Sequence, residues 1–381
     1  MSKQSVTMKR ITIAFDSFKG SLTSREAAEA FAEGWHESLP ECEVRKAYIA
    51  DGGEGMTEAI AESLAGEYIE IDAHDPLGRP IRSRYALIHG DTAIVELAAA
   101  AGLTLVTAEE RNPLITTTYG VGEMIVDALR RGCRKVILGL GGSATNDGAS
   151  GMLRALGYRF YSADKEELTT TIDILERVAS VDDAKLLPMV RDIDLRVAVD
   201  VDNPLYGERG AAAIYAPQKG ADAEMVERLD RALRHYASVV GEEFANVAGA
   251  GAAGGVGYGV LAMLGARPQS GIELVLDTIG FKTLIANSDL VVTGEGRIDS
   301  QTLMGKAPSG VLRYAQTQGV PCIAVGGGVV WSEELRRGGF KNIYAATPHD
   351  MPLEEAMRSE TAYRNLRNVA VRIAKELVAT R

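Results

Sequence analysis

The sequence has little cysteine: Cys42, Cys133 and Cys322 are its three thiols, spread over 381 residues with no CxxC pair. That excludes a disulfide framework and a zinc ribbon, and it points to a reducing, cytoplasmic compartment. Its five histidines, at positions 36, 74, 89, 235 and 349, show no metal-ligand spacing. Positive charge is also scarce, with 41 Lys and Arg against 52 Asp and Glu for a net charge of −11. A general nucleic-acid binder would carry a basic footprint, so no nucleic-acid partner is expected. A local basic pocket for an anion stays compatible with that balance, because local and net charge are separate matters. No GxxxxGK[ST] is present: Gly305-Lys306 has Ser300 where the first glycine would stand, which excludes a P-loop. The opening MSKQSVTMKR is charged with no apolar core after it, so no secretory leader is expected.

One long uncharged run does occur. Residues 247–266 carry no charge over 20 positions, the length of a membrane span. Seven of the 20 are glycine, so the run reads as a glycine-rich loop leading into a buried helix, and no membrane partner is expected. Gly249 to Gly254 also match GxGxxG, but they follow a helical pattern (222–246) and not a strand, so the dinucleotide-binding context is missing.

Short apolar runs alternate with longer amphipathic stretches. RITIAF (10–15), EVRKAYIA (43–50), EYIEIDA (67–73), KVILGL (135–140), LRVAVD (195–200), DLVVTG (289–294) and PCIAVGG (321–327) read as strands, several of them buried and parallel. Residues 24–38, with Ser24 as N-cap, and 56–64 read as helices. This is the βα alternation of an α/β protein. The rhythm breaks at 73–97, where Asp75-Pro76-Leu77-Gly78 precedes two adjacent strand-like runs, a boundary followed by a hairpin. At this length two domains are expected. The predicted architecture is a Rossmann-like or flavodoxin-like parallel-sheet domain (1–73 plus 289–381) with a second α/β domain (74–288) inserted. The active site is expected between the two.

Five clusters of small and charged residues follow strands, where open α/β sheets bind their ligands. They are Asp16-Ser17-Phe18-Lys19-Gly20-Ser21; Asp51-Gly52-Gly53-Glu54-Gly55; Gly141-Gly142-Ser143-Ala144-Thr145-Asn146-Asp147-Gly148; Asp200-Val201-Asp202-Asn203, with Lys219-Gly220 downstream; and Gly294-Glu295-Gly296-Arg297-Ile298-Asp299-Ser300-Gln301, followed by Gly305-Lys306. Bare backbone before a helix suits an anion. Lys19, Lys219 and Lys306 each sit beside glycine, from where a lysine reaches phosphate as a point charge. Carboxylates in the same loops suit Mg²⁺, which takes one or two of them plus phosphate oxygens. Together these are the parts that phosphoryl transfer needs, since its catalysis is mostly positioning and charge neutralisation.

The motifs DSFKGSLTS (16–24), ADGGEG (50–55), GGSATNDG (141–148), DVDNPLYG (200–207), APQKGA (216–221), GAGAAGGVGYG (249–259) and TGEGRIDSQTLMGKAP (293–308) resemble those of the bacterial type I glycerate kinases. The resemblance runs from about Lys9 to the C-terminal helix. It implies phosphorylation of D-glycerate by ATP with Mg²⁺, chiefly to 2-phosphoglycerate. The partner is then a small-molecule substrate, with a homodimer as the candidate assembly. Phe15 departs from the usual proline, but no charged or hydroxyl group of the motifs is lost. On chemical grounds Asp200 is the favoured base. Asp51 and Asp299 are its rivals or the Mg²⁺ carboxylates, and Lys19 joins them in the catalytic set. Ser17, Gly52, Gly53, Gly142, Ser143, Asn146, Asp147, Asn203, Lys219, Gly294, Glu295, Gly296, Arg297, Gln301 and Lys306 are the expected substrate or phosphate contacts. Which lysine meets which anion stays open at this level.

Overall fold

The computed structural model describes residues 8–379. It divides into two compact units: among the described residues, 8–51, 58–64 and 272–379 form the first, and 52–57 and 65–271 the second.

Along the chain the first unit begins with strands β1 (Arg10–Phe15) and β2 (Glu43–Tyr48). The second contributes β3 (Glu67–His74), β4 (Pro80–Ile88), β5 (Thr92–Glu96), β6 (Lys135–Gly139), β7 (Arg159–Tyr161), β8 (Glu167–Leu168), β9 (Ser180–Asp182), β10 (Asp194–Ala198) and β11 (Arg267–Gln269). The first unit then resumes with β12 (Leu290–Ile298), β13 (Cys322–Val329) and β14 (Asn342–Ala345).

The first unit's sheet has the order β14-β13-β12-β1-β2, and every pair in it is parallel. Read along that unit alone this is the 2-1-3-4-5 winding of flavodoxin-like folds, with its switch point between β1 and β12. β1 is central and buried from Ile11 to Phe15, which explains its unbroken apolar run. Phe15 meets Phe31 edge to face and Phe31 stacks on Trp35, with ring centroids 5.4 and 5.9 Å apart. The helix Ser24–Ser38 packs on the helix Ser359–Ala379 so closely that a Cβ at Gly34 would stand 2.0 Å from the Arg367 carbonyl oxygen.

The N-cap of Ser24–Ser38 is Thr23 and not Ser24. Thr23 Oγ1 accepts the Glu26 N–H, and Glu26 accepts the Thr23 N–H, a closed capping box. Ser24 has other work: its hydroxyl donates to the Phe15 carbonyl at 2.6 Å and accepts the Ile49 N–H, tying together the chain ends that leave β1 and β2.

In the second unit a six-stranded sheet runs β11-β10-β6-β5-β4-β3, parallel from β11 to β5 and antiparallel from β5 to β3. β4 and β5 are the hairpin read at 73–97, and β3 pairs along its whole length with β4 in this sheet. A small antiparallel sheet, β8-β7-β9, occupies the polar stretch after residue 158. The uncharged 247–266 run holds the helix Ala252–Leu264, buried at its glycine-rich end. No helix among the described residues is long and apolar enough to cross a membrane.

Candidate active site

In the first unit a cavity of about 480 Å³ lies at the C-terminal ends of its strands. Its walls come from Asp16 to Lys19 after β1, Asp51 after β2, Glu295 to Arg297 at the far end of β12, Gly327 and Gly328 in β13, and Ala346 and Thr347 after β14. Lys306 and the 351–366 segment complete it. The cavity thus sits at the switch point, where the two halves of the winding diverge and leave a crevice. The strand expected to end at Gly294 continues to Ile298, so Glu295, Gly296 and Arg297 are held by β12 itself and not by a loop.

Asp16 is 5% exposed and its Oδ1 accepts the Ser17 N–H at 2.6 Å. Burial, with the neighbouring charge of Asp51 in support, pushes its pKa from 3.8 up to about 7; the Ser17 N–H and Lys19 pull the other way. Glu295 is buried too, and burial raises its pKa, opposed by the Thr302 hydroxyl that donates to Oε1 at 2.6 Å and by Lys306. Lys306 Nζ lies 3.8 Å from Glu295 and Lys19 Nζ 3.9 Å from Asp51. The Lys19 side chain is 76% exposed, so its pairing is loose and its charge free to turn to a ligand. Lys306 also precedes the helix Ala307–Thr317, whose positive end adds to the field there. Three carboxylates (Asp16, Asp51, Glu295) and three cations (Lys19, Arg297, Lys306) therefore line one cavity.

The glycines of the floor divide into two kinds. A Cβ at Gly294 would strike the Val325 carbonyl oxygen at 2.1 Å, so this glycine serves the close pairing of β12 and β13. At Gly296 the nearest atoms would be 3.5 Å away and at Gly328 none lies within 4 Å. Neither residue has the positive φ that would call for glycine. Packing does not require them, and what they do is keep the cavity floor bare. Asp299 caps the short helix Ser300–Leu303: its Oδ1 accepts the Gln301 N–H at 3.0 Å, and Arg297 lies 3.4 Å from its Oδ2. Asp299 and Gln301 are not in the cavity lining.

The remaining expected residues belong to the second unit. Asp147 is fully buried and accepts four hydrogen bonds, from Thr118 N–H and Oγ1 and from the Ala149 and Gly151 N–H groups. Burial pushes its pKa up and these donors pull it down. Its work is to fix the turn between β6 and the helix Ser150–Leu156. Lys219, 1% exposed, donates to Ser143 Oγ at 2.8 Å and to the Thr145 carbonyl at 2.6 Å, clamping the same loop from the other side. Burial lowers its pKa to about 7, with Asp147 opposing. Asn146 is fully buried and neither of its amide atoms finds a hydrogen-bond partner among the described residues, the same condition as Thr145 Oγ1 and Ser150 Oγ nearby in sequence. Gly142 turns the loop at φ 71°.

Asp200 is exposed and lies two residues beyond β10, not at its end; its Oδ1 accepts the Gly271 N–H at 2.9 Å. Gly52, at φ 90°, has room for no Cβ because the Gly271 Cα would be 2.4 Å away, and Gly53 packs against Gly141. Asn203 uses both amide atoms locally, donating to the Arg209 carbonyl and accepting the Tyr215 hydroxyl.

Sequence reasoning passed over Asp16 as a site residue, although it opens the DSFKGS motif; strand ends draw attention to the loop, and only burial singles out the first residue after β1. Gly328, Thr347 and Asn365 carried no motif at all.

A doubly wound α/β unit with a carboxylate- and lysine-lined crevice at its switch point defines a class of enzyme suited to handling phosphate esters and anhydrides. The chain belongs to the glycerate kinase family, whose sequence profile matches residues 11–378. It is 42% identical to the glycerate kinase of Bacillus subtilis over 378 residues, 97% of this chain and 99% of that one. It is 40% identical to the glycerate 2-kinase of Escherichia coli K12 over 375 residues, 96% of this chain and 98% of that one. The crystal structure of a Salmonella typhimurium LT2 protein, named as a candidate glycerate kinase 2, matches with a TM-score of 0.89 at 40% identity, covering 98% of this chain and 99% of that one.

Proposed function

We propose that this protein transfers the γ-phosphoryl group of ATP to the 2-hydroxyl of D-glycerate, releasing 2-phosphoglycerate and ADP. The observation that carries the reading is the cavity in which Asp16, Asp51 and Glu295 face Lys19, Arg297 and Lys306 over a bare glycine floor. Membership of the glycerate kinase family supports it.

Phosphoryl transfer asks little covalent chemistry of the protein. The transition state is loose, and the rate comes from holding the reactants in line and offsetting charge. In our reading Lys19 and Lys306 take the polyphosphate, with Arg297 as a third cation. The proton acceptor is assigned to Asp16, ahead of Asp200, Asp51 and Asp299. Asp16 sits at the end of the central strand, its Oδ1 is fixed by the Ser17 N–H, and a pKa of about 7 suits a group that must hold a proton late in the reaction and release it afterwards. Asp200 is exposed with an oxygen committed to Gly271, and Asp299 is committed to its helix cap.

Mg²⁺ fits this donor set: it takes one or two carboxylates and the phosphate oxygens that arrive with the nucleotide. Asp51, beside Asp16 in the cavity wall, is the carboxylate we assign to it, and when bound the ion neutralises phosphate charge. The three free, buried thiols fit a cytoplasmic enzyme. The test is ATP consumption that depends on D-glycerate, with the position of the new phosphate read by phosphorus NMR. ADP release independent of glycerate refutes the reading.

A further inference from the structure

The same cavity has apolar lining that the transfer chemistry does not use. Besides the charged residues, its wall includes Phe18, Met351, Leu353, Ala356, Met357 and Leu366. Glycerate is a three-carbon hydroxy acid, polar almost everywhere, and gains nothing from such a wall. Leu353 is 75% exposed and Met357 39%, so apolar surface stands open to solvent at the rim. One polar side chain interrupts it. Asn365, on the helix Ser359–Ala379, is only 5% exposed and lines the cavity. Its Nδ2 donates to the Met351 thioether at 3.4 Å, a weak acceptor. An amide nine-tenths buried whose donor is spent on a sulfur gains from a ligand that offers it stronger partners.

We propose that this apolar lining takes the purine base of the nucleotide, with the Asn365 amide reading the edge of an adenine and the polyphosphate directed to Lys19 and Lys306. The inference rests on ATP being the phosphoryl donor, and it adds where the base lies and what selects it. A volume of about 480 Å³ is within the range of pockets that enclose a small organic ligand. Methionines flank flat rings well, because thioethers are polarisable and pack at ring edges and faces. A carboxamide presents one donor and one acceptor in a plane, the complement of adenine's amino group and adjacent ring nitrogen. Guanine's edge carries two adjacent donors, N1–H and the N2 amino group, beside O6; an amide held for adenine must turn over to pair with O6 and N1–H, whereas a carboxylate accepts both donors at once. Gly328, Ala346 and Thr347 line the same cavity, and a side chain at position 328 would narrow it.

Calorimetric titration of the full chain with ADP, GDP and inorganic tripolyphosphate tests this. Wild type should bind ADP at least about tenfold more tightly than GDP, the size of one good paired contact. Asn365→Leu should lose about tenfold or more in ADP affinity and leave tripolyphosphate unchanged. Asn365→Asp keeps the shape of the side chain, so it guards against a folding failure, and it should shift the preference toward GDP by a similar factor. Unchanged ADP and GDP affinities in both variants overturn the inference, as does a parallel loss of ADP and tripolyphosphate. The kinase reading fails separately: a wild-type protein that binds ADP but makes no phosphoglycerate from ATP and D-glycerate sinks the reaction, whereas intact turnover with an unmoved base preference in Asn365→Asp sinks only the base site.

Discussion

Replacing Asp16 with asparagine should stabilise the protein and disable it. The residue is 5% exposed, has one backbone donor on Oδ1, and shares its surroundings with the acidic Asp51 and Glu295 as well as Lys19. Burial and the two acidic neighbours lift its pKa from 3.8 to about 7, against the Ser17 N–H and Lys19. A folded-state pKa above the unfolded one means that ionisation opposes folding. The cost is absent below pH 3.8, grows as the pH rises through the interval, and is complete above about pH 7. At about 1.4 kcal/mol per pKa unit the ceiling is roughly 4 kcal/mol. Relaxation and access of water lower that, and about 2 kcal/mol is the expected gain for Asp16→Asn at pH 8, or roughly 4–8 °C in the transition of the unit that holds it. Differential scanning calorimetry at pH 8 and pH 4.5 reads it directly. The gain should shrink to a few tenths of a kcal/mol or so at the lower pH, while kcat at pH 8 falls by about 10²–10⁴-fold. An Asp16→Asn protein that melts lower at pH 8, or whose gain is the same at both pH values, refutes the argument from burial. Full kcat in the variant refutes the role in proton transfer.

The other expectations are briefer. Asp200→Asn should leave kcat within about threefold of wild type in a steady-state assay, since Asp200 holds the Gly271 N–H and is not our proton acceptor; a loss of about 10²-fold or more returns that role to Asp200. Lys219→Met removes a clamp whose pKa is depressed to about 7 against 10.5. Between those values the unfolded chain binds the extra proton, so urea titrations should show wild type gaining on the variant by about 1.4 kcal/mol per pH unit from pH 7 to 9, and a flat difference would contradict the buried geometry. Gly296→Ala should melt within about 1 °C of wild type yet raise the KM for ATP severalfold, because its Cβ would meet the Phe18–Lys19 backbone only at ordinary contact distance, 3.5 Å, while standing in the cavity lining. An unchanged KM would return Gly296 to a purely structural role.

Much of the first unit could be read from the sequence because its strands are buried on both faces and its punctuation is strong. RITIAF and CIAVGG have no alternation to confuse, and DSFKGS marks where β1 must end. The extent of β12 could not be read that way: Gly294 and Gly296 look like a loop, but the sheet carries them as strand because β13 approaches too closely for any side chain at 294. Lys219 shows the limit of composition. Lysine beside glycine suggests a solvent-facing phosphate ligand, yet tertiary packing turns this one inward onto Ser143 and Thr145. Asp16 and Asn365 escaped for the opposite reason. Nothing in their neighbours reports burial, and burial is what gives each its chemistry.

The most direct test of the central claim is phosphorus NMR on the purified chain with ATP, Mg²⁺ and D-glycerate. A resonance of 2-phosphoglycerate growing in step with ADP is the predicted result. ADP that appears at the same rate without glycerate, or no turnover with it, would contradict the account.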